Sequence, residues 1–220
     1  NGYTGDFVIC PEPTQLGIGL EAKGVLQLDL TVKGRSAHAS RPWEGDNAIV
    51  KAYDLFNQIQ NLPFAKESSE WFRSPSINLS KIQGGEVYNK VPDSCLMSLD
   101  IRFLPSQNKQ QILDQIQSIT DCEMSIYLYG DPVKNSKEDP CIQEVLAAIK
   151  QVTQTKKVKI FGQHGFADTR FFSKFDIPAI EFGPCGENWH GDKEFVVLDS
   201  VRTYQKILVR LALLQSQREN

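Results

Sequence analysis

Apolar and polar residues alternate along Val25, Leu26, Leu28, Leu30 and Val32, which predicts a half-buried strand from Gly24 to Lys33. A helical period replaces it from about Asp46 to Gln60, where Leu55, Phe56 and Ile59 share one face. Alternation returns over Ser76 to Gln83, turns at Gly84-Gly85 and resumes in a partner strand from Pro92 to Phe103. Ile112, Leu113, Ile116 and Ile119 predict a second helix with Ser106 as its N-cap, and Cys122 to Tyr129 reads as a closing strand. The order β-α-β-β-α-β predicts an α+β ferredoxin-like arrangement, an antiparallel four-stranded sheet with two helices on one face. Between the first helix and the second strand, Leu62 to Pro75 mixes charges, serines and prolines with Phe64, Trp71 and Phe72, an irregular loop with aromatic anchors.

The flanks have another style. Asp6 to Cys10 is a short apolar run, the mark of a strand covered on both faces, and it stops at Pro11-Glu12-Pro13-Thr14. Gly17 and Gly19 then read as a loosening of the chain at a domain crossing. Beyond Gly130-Asp131-Pro132 the pattern predicts a helix from Pro140 to Thr153, a strand from Lys157 to Phe161 and a helix from Asp168 to Phe175. A strand from Pro178 to Phe182, a loop from Gly183 to Lys193 and an amphipathic helix from Asp199 to Gln215 complete the chain. Residues 1–20 and 135–220 thus read as one α/β layer, short of strands, interrupted by an insert over residues 21–134.

Composition narrows the function classes. With 24 basic and 27 acidic residues among 220, the net charge of −3 offers no basic field for nucleic acid or an anionic membrane. No apolar run reaches the length of a membrane span, and no signal peptide is expected. Five scattered cysteines lack the close spacing of a metal knuckle and read as reduced thiols, which suits a cytoplasmic location. The chain opens on Asn1 rather than methionine and reads as a piece of a longer protein.

Candidate chemistry gathers in loops. His38 sits in Gly34-Arg35-Ser36-Ala37-His38-Ala39-Ser40, His164 in a Gly-containing turn, and His190 in Gly186-Glu187-Asn188-Trp189-His190-Gly191-Asp192. Glu12 and His190 both follow strands at carboxyl ends, where α/β sheets place ligands, and a carboxylate with an imidazole suits zinc. Two ligands fall short of the three that a catalytic zinc takes, and Asp192 reads as a turn residue. Asn89 and Arg102, read as close in a hairpin, offer an amide and a guanidinium matched to a carboxylate; a turn residue and an exposed arginine is the competing reading.

Taken together, Pro11-Glu12-Pro13-Thr14, Gly34-Arg35-Ser36-Ala37-His38-Ala39, Asn89-Lys90-Val91-Pro92, Asp100-Ile101-Arg102, Gly165-Phe166-Ala167-Asp168-Thr169-Arg170 and Trp189-His190-Gly191 form an ordered series. It resembles the zinc amidohydrolase and exopeptidase family of acetylornithine deacetylase, succinyl-diaminopimelate desuccinylase, aminoacylase and glutamate carboxypeptidase. The resemblance implies an α/β remnant of a zinc-exopeptidase-like catalytic domain interrupted by a ferredoxin-like lid and dimerisation domain. It implies two zinc ions per site in the intact parent, replaceable by cobalt or manganese, with Glu12 and His190 as ligands of one. His38 would stabilise the oxyanion, Asn89, Arg102 and Gly165 would bind substrate, and Asp168 would support the site from a helix start. The partners implied are a small N-acyl amino acid or peptide and a second copy of the chain, paired through residues 21–134.

Two departures from the family's pattern stand out. Phe166 occupies a place where small residues are usual. In the family a His-x-Asp motif and a Glu-Glu pair, which carry the other metal ligands and the general base, precede the strand that here begins at Asp6, and that part of the pattern is absent from these 220 residues. The expected activity is therefore that of a parent hydrolase, cleaving an amide bond next to a free carboxylate, with this chain inactive alone. The alternative is a non-catalytic dimerisation or binding module derived from the same family.

Overall fold

The computed structural model describes residues 5–173 and 175–216. The chain forms two compact units, one made of residues 1–22 and 131–220 and the other of residues 23–130.

The first unit opens with β1 (Val8–Cys10) and β2 (Ile18–Ala22). Gly17 and Gly19 do not mark slack chain: Ile18 and Leu20 are fully buried. Gly19 is small because Glu181 lies against it, 3.1 Å from where a Cβ would stand.

The second unit then runs through β3 (Gly24–Lys33), α1 (Ala48–Ile59), α2 (Pro63–Lys66), β4 (Ser76–Gly84), β5 (Ser94–Phe103), α3 (Lys109–Gln117) and β6 (Glu123–Gly130). Its sheet is antiparallel throughout in the order β4-β5-β3-β6. Leu26, Leu28, Leu30 and Val32 of β3 point to the same face as Cys95, Met97, Leu99, Ile101 and Phe103 of β5. Ala52, Leu55 and Ile59 of α1 and Ile112 and Ile116 of α3 close over them in one core. Asn47 caps α1, its Oδ1 accepting from the amides of Ile49 and Val50. Asn108 caps α3 in place of the expected Ser106, because its Oδ1 is the group that reaches the amide of Gln110, at 2.7 Å. The segment before β4 is pinned by Phe64 and Phe72, both about fully buried.

The first unit resumes with α4 (Pro140–Thr153), β7 (Ile160–Gln163), α5 (Arg170–Ser173), β8 (Ala179–Glu181), β9 (Gly186–Glu187), β10 (Phe195–Val196) and α6 (Leu198–Ser216). A four-stranded sheet has the order β1-β8-β2-β7, with β1 parallel to β8 and β2 parallel to β7. The helix expected over Asp168 to Phe175 is one short turn. The loop expected from Gly183 to Lys193 contains β9, which pairs antiparallel with β10 just beyond it.

Candidate functional site

In the first unit the parallel pairing of β1 with β8 brings both chains off the sheet at the same end. Glu12 follows β1, and the segment leading to His190 follows β8. Thr14, buried, ties the two exits together. Its Oγ1 accepts from the amide of Gly183 at 2.9 Å and donates to the carbonyl of Gly17 at 2.7 Å. Leu16 and Gln15 donate through their amides to the carbonyls of Gly183 and Pro184, and Gln15 Nε2 donates to Gly186 O. A side chain at Gly183 would place its Cβ 2.3 Å from the carbonyl oxygen of Glu12, so only glycine permits this approach.

His190 stands at the tip of the β9-β10 hairpin with a φ of 62°, and Asn188 two residues earlier has a φ of 63°. Left-handed backbone at non-glycine residues is uncommon and persists where surrounding bonds over-determine it. Those bonds are Gly191 N to Asn188 O at 2.9 Å, Glu194 N to Gly191 O at 3.0 Å, and Asn188 Nδ2 to Lys193 O at 3.1 Å. Glu12 and His190 are both exposed.

Gly165 and Asp168 lie in the turn between β7 and α5, and both are exposed. Asp168 Oδ1 accepts from Arg170 Nη1 at 2.8 Å, and that guanidinium stacks 3.8 Å over the Phe166 ring and 4.0 Å over Phe171. Phe166 thus has a structural task in this chain: it holds the arginine that holds Asp168.

Sequence reasoning missed the acid beneath this site. Glu181 of β8 is buried, and its carboxyl accepts from Gln163 Nε2 at 3.0 Å. Burial pushes its pKa upward against that hydrogen bond, and the nearby carboxylates Glu12 and Asp168 push it further. The Cys10 thiol is raised by burial and then by Glu181, Asp168 and Glu12. Four groups from β1, β8 and two loops therefore share one electrostatic neighbourhood. The signal that could have found Glu181 was a lone acid inside the apolar run Pro178 to Phe182.

Oxygen and nitrogen donors of the right kind for zinc are present, but the residues do not fit a complete site. Among the described residues no group of three or more His, Cys, Asp or Glu side chains comes together to hold a metal ion.

The second unit brings His38 and Asn89 together. His38 bridges to Lys90, the amide of Ala39 donates to Asn89 O at 2.9 Å, and Val91 N donates to Ala37 O at 2.8 Å. Lys90 pairs with Asp93 at 3.2 Å, and Lys90 and Ser36 hold the Asp93 carboxyl below its ordinary pKa. An open cavity of about 630 Å³ lies beside the turn, walled by Ala39, Asn47, Val87, Tyr88 and Val91.

Arg102 stands elsewhere, which corrects the expectation that it lies close to Asn89. Asn89 precedes β5 and Arg102 is near its far end, so the strand from Ser94 to Arg102 separates them by roughly 27 Å at the rise of an extended chain. In one copy of the chain the two cannot grip one carboxylate. The Arg102 fork is also engaged, Nε to Asp100 Oδ1 at 2.6 Å and Nη2 to Oδ2 at 3.1 Å, while Gln27 Nε2 donates to the same carboxylate.

Residues 20–125 match the family profile of the peptidase dimerisation domain. The chain is 26% identical over 207 residues to a succinyl-diaminopimelate desuccinylase of Gluconacetobacter diazotrophicus, covering 89% of this chain and 53% of the relative. Over residues 20–125 the chain thus carries a peptidase dimerisation domain, and its likeness to amidohydrolases extends over most of its length. A LysW-lysine/LysW-ornithine hydrolase of Saccharolobus solfataricus is 25% identical over 220 residues, 95% of this chain and 60% of that family member. The crystal structure of aminopeptidase PepT from Bacillus cereus superposes with a TM-score of 0.78 at 16% identity, over 95% of this chain and 57% of that one, a likeness of fold. The chain spans about half the length of the curated relatives it matches.

Proposed function

We propose that the chain is part of a zinc-dependent hydrolase that cleaves an N-acyl or peptide bond adjacent to a free carboxylate. The observation that carries this reading is the lacing of two loops at one sheet end, which presents Glu12 and holds His190 on a strained hairpin tip, in a chain whose relatives are named desuccinylases and hydrolases. Glu12 and His190 would each give zinc one ligand, and the remaining ligands and the general base would come from outside these 220 residues. Bound zinc would supply Lewis-acid polarisation of the amide carbonyl. This chain's own residues do the rest of what is assigned to them. Asp168, fixed by Arg170, supports the site from the turn before α5, and Gly165 offers backbone to substrate. Asn89 and Arg102 remain as substrate contacts at separate places rather than one clamp. His38 donates to the developing oxyanion, a contact worth about 3 kcal/mol for a single donor.

Residues 23–130 would serve as the ferredoxin-like lid and dimerisation domain, pairing two copies and placing His38 at the partner's site. Mixing inactive His38→Ala and Glu12→Ala forms of the full natural enzyme under subunit exchange tests this. One site in each mixed dimer regains both residues, so activity rises toward a quarter of the unmutated level in a random mixture. No recovery despite proven exchange overturns the shared site.

A second reading is a non-catalytic dimerisation or binding module that kept the fold, which the dimerisation-domain match over residues 20–125 supports as much as it supports the first. Turnover by the full natural protein that disappears in Glu12→Ala and His190→Ala removes that reading; no turnover with any N-acyl substrate supports it.

A further inference from the structure

The His38 ring is turned back onto its own chain. The backbone amide of Ser40 donates to His38 Nδ1 at 3.2 Å, and Ser40 Oγ lies 2.8 Å from the same nitrogen. A backbone amide has a proton and no lone pair to offer, so the nitrogen facing it must be the bare one. A neutral imidazole carries one proton, and with Nδ1 occupied as acceptor that proton sits on Nε2. The Ser40 hydroxyl, which can donate or accept, then also donates to Nδ1.

We infer that Ser40 is a positioning residue that fixes His38 in the Nε2–H tautomer, so that the neutral ring already presents a hydrogen-bond donor outward. What that donor meets, an oxyanion, rests on the function proposed above; the tautomer itself does not. The opposite tautomer would set the Nδ1 proton against the Ser40 amide proton and present Nε2 as an acceptor, the wrong sign for a developing negative charge. The turn is stiff enough to enforce the choice. Arg41 N donates to His38 O at 2.8 Å, Ala39 N to Asn89 O at 2.9 Å, and His38 itself bridges to Lys90. The amide of Ser40 therefore cannot swing away from the ring without breaking the turn.

Nitrogen-15 spectra of histidine-labelled protein, at a pH high enough that the rings are neutral, read the tautomer directly, and only three histidines need assignment. Loss of one ring's signals in His38→Gln assigns His38. The wild-type ring is expected as Nε2–H alone and to stay so in Ser40→Ala, which keeps the backbone amide. In Ser40→Pro, which removes the amide, the two tautomers should mix. An Nδ1–H or mixed ring in the folded wild-type protein overturns the inference whether or not the proline variant folds, and a folded Ser40→Pro that remains purely Nε2–H removes Ser40 as the cause.

A second readout uses turnover by the full natural enzyme. Glutamine places its amide nitrogen where Nε2 stands and asparagine where Nδ1 stands. His38→Asn should lower kcat by the ~10²–10³-fold of a lost oxyanion donor, while His38→Gln should retain about tenfold more activity than His38→Asn. Equal losses in the two would overturn Nε2 as the working atom. Failure of the hydrolase reading is distinguishable: the full natural protein would then turn over no N-acyl substrate, while the tautomer measurement stood.

Discussion

In the 23–130 unit, β3 and β5 pair over ten residues each and their side chains merge with two helices into one core, whereas in the other unit the strands of the four-stranded sheet run three to five residues and the candidate side chains ride on the loops beyond them. The first arrangement is a scaffold whose stability comes from apolar area. The second trades regular structure for placement. Thr14 and Gln15 spend their polar groups tying the exits of β1 and β8, and Glu181 keeps a carboxyl where burial opposes its charge. Loops held by short strands carry Glu12, Asp168 and His190 in the one unit, and the turn carrying His38 leaves a long strand in the other.

The sharpest test of that contrast is a pair of truncations. Leu28→Ala, inside the scaffold core, should cost about 2–5 kcal/mol of unfolding free energy. Glu12→Ala, on an exposed loop, should stay within about 0.5 kcal/mol. Denaturant melts of both variants measure this, and similar losses in the two would erase the distinction between the halves.

Arg102 is the next point of pressure, because it is a charged group on the scaffold rather than on a loop. If it receives the substrate carboxylate while Asp100 orients its fork, Arg102→Lys should weaken binding of a free acid about tenfold more than of its ester, since an ammonium cannot reproduce two parallel donors. Competition binding of the matched pair to the full natural enzyme reads the ratio. Equal losses would leave Arg102 as a partner of Asp100 alone.

A smaller effect is expected at Glu181, and its sign follows from burial. The folded-state pKa is raised above the ordinary value, so the folded chain prefers the protonated carboxyl. Its contribution is complete below the unfolded glutamate range, about pH 4.3, and is lost as pH rises through the raised value. Glu181→Gln abolishes that loss, so its stability relative to the unmutated protein should climb between pH 4 and pH 8, values spanning about that range. A constant difference in thermal midpoint across the range would show that the carboxyl is not under strain.

The same contrast explains what the sequence disclosed. The scaffold was legible because its signals are local: period-two apolar residues in β3, a Gly84-Gly85 turn leading to the partner strand, helical spacing in α1 and α3. The helix over Pro140 to Thr153 was equally plain, with Asp139 as cap and proline at its first turn. Parallel pairing of distant three-residue strands leaves no such mark, so Ile18 to Ala22 read as slack around two glycines although Gly19 is an accommodation to Glu181. Of the candidate site, Glu12, His38 and His190 stood out because a charged or imidazole side chain in a Gly- or Pro-bounded loop lacks a packing role, whereas Asp168 came only with the family resemblance. Ser40, Gln163 and Glu181 did not, because a hydrogen-bond partner chosen by folding is not written in spacing. Arg102 was placed beside Asn89 by counting along a hairpin, and the ten residues of β5 carry it to the other end.

The central claim, that Glu12 and His190 each offer one ligand and do not hold zinc by themselves, is tested most directly by the metal content of this 220-residue chain. After loading with zinc and exhaustive dialysis, the account predicts far less than one zinc per chain and no turnover of N-acyl amino acids. Zinc that stays near one per chain, or is lost only when Glu12 or His190 is replaced by alanine, would contradict it.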